Sequence, residues 1–312
     1  MATTTQTTQL AAPARAAGPL ALWHLLSLDA PTVAALWTWF VARASHVKLP
    51  VASPLAMALA VWIPYAADRL LDARLLDTRQ SNASSRGTYL RDQLEARHLF
   101  HHRHRRAFLL GIAFAGMGVA ALLPRLDPAA ILLYLFEGAL LAAWFLILHA
   151  TRGAHRLPKE IAVGLFFSAA IFIPTVARAP GLRMALLPCA FLFAVLCSLN
   201  CLFIHAWEHA HSRPAQRRDW RADAKPAHAT TRLALAHLNA LAVGVPAAGI
   251  ALAIVETTAA HRNVHLLPVA CSLTAGLLLV LDRNRNQLSR VNLRAAADLA
   301  LLTPLLLLPF LR

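Results

Sequence analysis

Apolar residues run along this chain in long blocks broken by short polar gaps. Nine of the blocks approach or reach the roughly 20 residues that a helix needs to cross a bilayer core. They cover residues 29–44, 50–70, 106–124, 128–149, 160–178, 183–205, 231–255, 264–281 and 293–311. The expected fold is all-α, a polytopic membrane protein of nine transmembrane helices. Ahead of the first block, Leu20–Leu28 is too short to span alone and reads as an amphipathic lead-in lying on the membrane surface. Residues 1–18, rich in Thr, Ala and Gln, lack the apolar core of a signal peptide and read as a disordered tail, leaving 19–312 as one transmembrane domain.

Composition strengthens this picture. Of 312 residues, 58% are hydrophobic and only 14% charged, where a soluble domain carries about 25% charged residues. The net charge of +15 does not point to nucleic acid, because the basic residues sit in the gaps between apolar blocks and not on one face of a soluble fold. With the amino terminus in the cytoplasm, 23 of the 30 Lys and Arg residues fall on the cytoplasmic side and 7 on the other. The positive-inside rule then places the amino terminus inside and the carboxyl terminus opposite, in an integral protein of a bacterial inner membrane. His98, His101, His102 and His104 lie in a basic segment suited to anionic lipid headgroups. The four cysteines fall inside predicted spans and outline no disulfide framework.

The candidate chemistry lies at the cytoplasmic ends of the spans. Asp68 and Asp72 end the second block, four residues apart, which on a helix puts them about 40° apart on one face. Carboxylates at a membrane interface are costly to desolvate, so a pair on one face suggests a site. Magnesium would neutralise both, since it is held by a few carboxylates together with phosphate oxygens of a substrate. The same acids could instead form interfacial salt bridges with Arg69, Arg74 and Arg79. The sixth block ends in a second polar group, where Asn200 and Glu208 stand two turns apart and offer further oxygen ligands. A stripe of Cys197, Cys201, His205 and His209 on that helix spreads over three turns, too far for one ion. Lys159 opens the fifth block, after Arg152 in the preceding gap, and either could meet a diphosphate. Glu137 stands alone inside the fourth.

Topology and polar clusters together resemble the UbiA superfamily of intramembrane prenyltransferases, which carry Asn-Asp-x-x-Asp-x-x-x-Asp at the end of the second span and a second acidic motif at the end of the sixth. Here these read Pro64-Tyr-Ala-Ala-Asp68-Arg-Leu-Leu-Asp72 and Asn200-Cys-Leu-Phe-Ile204-His-Ala-Trp-Glu208. Lys159-Glu-Ile-Ala-Val-Gly164 is also similar to the family. Pro64 and Tyr65 replace the leading Asn-Asp pair, and the second motif keeps one acid. The resemblance implies magnesium-dependent transfer of an isoprenyl group from a prenyl diphosphate to an aromatic or lipid acceptor. In that role Asp68, Asp72, Asn200 and Glu208 would hold Mg2+, while Lys159, Arg69 and Arg152 would bind the substrate. Trp62, Phe166, Phe167 and Trp207 would wall the prenyl chain. The alternative is a UbiA-like protein without catalysis, or a small-molecule transporter.

Overall fold

The structure is a computed structural model that describes residues 18–81, 96–150, 158–210, 228–259 and 263–311. Among these, every regular element is helical: α1 (Pro19–Leu25), α2 (Asp29–Ala44), α3 (Ala52–Ser81), α4 (Ala96–Arg103), α5 (Arg105–Leu122), α6 (Pro128–Ala150), α7 (Lys159–Arg178), α8 (Arg183–Ala210), α9 (Ala229–Ala236), α10 (Leu238–Ala259), α11 (Leu266–Arg283), α12 (Arg290–Ala300) and α13 (Pro304–Leu307). Short 3-10 turns follow α5, α7, α10, α11 and α13.

Six segments are long and apolar enough to cross a membrane: 105–125, 159–178, 180–207, 238–257, 263–283 and 292–310. All nine apolar blocks fall on helices, but α2 has only 16 residues and the apolar part of α6, Pro128–Trp144, is also short. The chain is thus an all-α membrane protein with six such segments among the described residues. Large apolar side chains point outward along these helices, among them Phe114 and Met117 on α5, Leu135 on α6, Phe191 on α8 and Ile254 on α10. In water such a surface would be costly; facing hydrocarbon it costs nothing.

Inside the bundle, α2 is the most enclosed helix, with Val33, Ala34, Trp37, Phe40 and Val41 almost inaccessible. Trp37 packs on Phe193 with ring centroids 4.2 Å apart, and α8 adds Leu186, Leu196 and Phe203 to the same core. Because lipid is as apolar as Leu, helices here associate by close contact at small residues. A Cβ on Gly164 of α7 would strike the Ser198 side chain and the Ala194 carbonyl of α8. Gly249 of α10 meets Ser272 and the Pro268 carbonyl of α11 in the same way.

Two expectations change. The lead-in does not lie on the surface: α1 folds into the protein, burying His24, Leu25 and the following Ser27. The last block is not one helix. Pro304 has no N–H to give the Ala300 carbonyl, so the ladder stops there, and that carbonyl accepts from the Thr274 hydroxyl of α11 at 3.1 Å. The Leu301 carbonyl is taken by the Trp37 indole N–H at 2.7 Å, and the Thr303 hydroxyl donates to the Ala270 carbonyl at 3.0 Å. The turn at 301–303 therefore leaves few carbonyls unpaired, as an apolar setting requires.

Candidate functional site: a buried charge cluster

The polar groups of the bundle converge where α2 begins. After α1 the chain reverses at Ser27, a non-glycine residue at φ 59°, a left-handed conformation that needs support from its surroundings. The turn is supported by side chains from elsewhere. The Trp62 indole N–H of α3 donates to the Leu26 carbonyl at 3.1 Å, the Arg69 guanidinium donates to the His24 carbonyl at 3.0 Å, and the Ser27 hydroxyl lies 3.1 Å from Nε2 of buried His101 on α4.

This turn brings His24 back onto Asp29, the first residue of α2, with Nδ1 2.6 Å from Oδ2. The other Asp29 oxygen accepts from the Ala30 backbone N–H at 3.0 Å, and the helix amino terminus favours its negative charge. Arg69 reaches Asp29 at 3.5 Å and stacks over the Tyr65 ring, 4.3 Å from its centroid. The Tyr65 hydroxyl is itself 3.5 Å from Asp29. From the far side come two more helices. Asp298 of α12 lies 3.9 Å from His24 Nδ1, and its other oxygen accepts from the Asn200 amide of α8 at 3.3 Å. Five helices thus supply six side chains to one cluster, of which His24, Asp29, Arg69 and Asn200 are buried. The Asn200 Oδ1 oxygen is buried without a hydrogen-bond partner.

Of the residues predicted to form a site, Arg69 and Asn200 belong to this cluster, Arg69 tied to Asp29 and Asn200 to Asp298. Asp68 is exposed on the adjacent position of α3, and Lys159 is exposed at the start of α7. The side chains of Asp72 and Glu208, and all of Arg152, lie outside the described residues. The aromatic residues expected to wall a chain are engaged in packing: Trp62 lies in a small cluster around Leu70 and Phe108, Phe167 stacks on Phe193, and Trp207 donates to Asp282 at 2.7 Å. Glu160 pairs with Thr231 at 2.8 Å and stands 3.8 Å from His205, taking that histidine away from the cysteine stripe.

Sequence reasoning missed His24, Asp29 and Asp298. A usable signal was there for Asp298, an acid inside an apolar block, by the same desolvation argument that singled out Asp68. For His24 there was none, because its burial depends on the Ser27 turn.

Of the expected magnesium set, Asn200 has its amide nitrogen on Asp298 and keeps its Oδ1 oxygen without a hydrogen-bond partner. Among the described residues, the one group of three metal-ligating side chains close enough for a single ion is His24, Asp29 and Asp298. Compared with models of known families, with curated proteins and with solved structures, the chain has no match.

Proposed function

We propose that this protein is a UbiA-like intramembrane prenyltransferase, which moves an isoprenyl group from a prenyl diphosphate to a lipophilic acceptor at the cytoplasmic end of the bundle. The proposal includes nine spans, with α12 and α13 together as the last, the amino terminus in the cytoplasm and the carboxyl terminus opposite. The observation that carries it is the meeting of polar side chains from α1, α2, α3, α8 and α12 where α2 begins, with Asp68 exposed on the neighbouring position of α3. A transporter would more often place such groups near the bilayer midplane.

Magnesium, when bound by Asp68, Asp72 and Glu208, supplies positive charge to the diphosphate. Lys159, exposed at the helix start, offsets negative charge on the leaving group as a point charge. The allylic carbon–oxygen bond breaks with its electron pair going to the diphosphate oxygen. A new bond then forms from the acceptor to the allylic carbon, and the acceptor releases a proton. Trp62, Phe166, Phe167 and Trp207 would have to exclude water from the cationic carbon.

A second reading has its own support. Arg69 is engaged by Asp29, so it is not turned to a substrate as a transferase motif would require. On that reading the protein keeps the fold for binding without turnover. The deciding experiment incubates purified protein with labelled prenyl diphosphates of several lengths, magnesium and total membrane lipid. Diphosphate release that is lost in Asp68→Asn supports the transferase. Binding without release supports the second reading, and neither binding nor release removes both.

A further inference from the structure

We propose that His24, Asp29, Asp298 and Asn200 form a buried binding site for one divalent first-row transition ion such as zinc or manganese, sharing only Asn200 with the expected magnesium ligands. The donor set is one imidazole nitrogen, two carboxylates and one amide oxygen, a mixture that suits these ions better than the all-oxygen shell magnesium prefers.

Geometry places the donors within reach. One ligand atom from each of His24, Asp29 and Asp298 lies within 4.8 Å of the others. Donor atoms around one tetrahedral ion at about 2.0–2.1 Å are roughly 3.4 Å apart. The His24–Asp29 pair at 2.6 Å would open, and the His24–Asp298 pair at 3.9 Å would close, each by less than about 1 Å.

A second, independent feature points to a ligand. Asn200 is about 5% exposed, and its amide sits against Asp298, yet its Oδ1 oxygen is buried with no hydrogen-bond partner. Buried polar atoms left unpaired are uncommon because each loses its hydrogen bonds to water without replacement. A cation on Asp298 would stand beside the amide group that carries this oxygen. Loading exchanges the hydrogen bond between His24 and Asp29 for two metal bonds; Nδ1 must then carry no proton, so a neutral ring bears its proton on Nε2, and a cationic ring releases one proton to solvent. Arg69, 3.5 Å from Asp29, then acts as an outer hydrogen-bond donor that orients the ligating carboxylate.

The test uses the full chain, purified in detergent, stripped with a chelator and dialysed separately against zinc and manganese. We expect close to one equivalent of one of these metals per chain, with a higher melting temperature. Asp298→Asn and His24→Gln should each lower the retained metal at least tenfold at the same free concentration, whereas Asp68→Asn should retain it. Where either of the first two variants does not fold, Asn200→Ala serves instead, since it leaves both acids in place, and it should weaken retention at least threefold. A wild type that holds neither metal after dialysis would overturn the proposal. So would equal retention in the folded variants, which would assign the metal to the histidines between His98 and His104. Loss of metal in Asp68→Asn together with loss in Asp298→Asn would instead mean one shared site and would also overturn it.

Discussion

His24 and Asp29 face each other across the α1–α2 turn with Nδ1 and Oδ2 2.6 Å apart, both buried. This short contact joins a helix too small to be stable alone to the most enclosed helix of the bundle, and it places the Asp29 carboxylate where Arg69 and Tyr65 of α3 reach it. The turn, the ion pair and the position of α3 therefore depend on one another.

Asp29→Asn should be strongly destabilising, because it leaves the Arg69 guanidinium buried beside a neutral amide. Breaking one partner of a buried pair costs about 3–5 kcal/mol. Thermal unfolding in detergent should show a lower melting temperature for Asp29→Asn and for Arg69→Met. The double variant should recover a substantial part of the loss, because no buried charge of that pair is then left unmatched. Strictly additive losses would mean that the two side chains do not interact.

Gly164→Ala should lower stability by about 1–3 kcal/mol, since the new methyl group meets the Ala194 backbone carbonyl as well as the Ser198 side chain. Ser198→Gly should rescue only part of this, because the carbonyl remains. Gly138→Ala, where nothing lies within 4 Å of the added carbon, should be neutral or stabilising by up to about 1 kcal/mol. Melting temperatures of the three single variants and the Gly164/Ser198 double variant check the ranking.

Trp37→Phe should keep most of the ring packing against Phe193 while removing the N–H that satisfies the Leu301 carbonyl. A buried carbonyl left without its donor costs about 1–3 kcal/mol. Hydrogen exchange should show faster opening at the α12–α13 turn than in the wild type. Trp37→Ala adds a cavity and should cost more, about 3–5 kcal/mol.

Reporter fusions after Gly87, Ala154, Ala215 and Asn286 should give cytoplasmic signals, and those after His46, Pro180 and Ala260 signals from the opposite side. The reason is the distribution of basic residues, 23 against 7. A signal from outside at any of the first four would break the nine-span arrangement and separate Asp68 from the cytoplasmic face.

The helices were legible in the sequence because each apolar block states its own environment. A run such as 183–205, apolar but for Arg183, Ser198, Asn200 and His205, pairs its backbone internally and so forms a helix in lipid whatever its neighbours do. Pro304 ends the ladder within the last block, and the Thr274 and Trp37 donors, far away along the chain, show why that break costs so little. Pairing was not legible in the same way. Arg69 stands between Asp68 and the next turn of α3, which in sequence made those acids its nearest partners, yet it is bound to Asp29, 40 positions earlier. Asn200 is bound to Asp298, 98 positions later. Local sequence determines where a polar group sits along its own helix, whereas which groups meet is decided by how the helices pack. That packing depends on small residues such as Gly164 and on the left-handed turn at Ser27, whose effects become visible only in three dimensions.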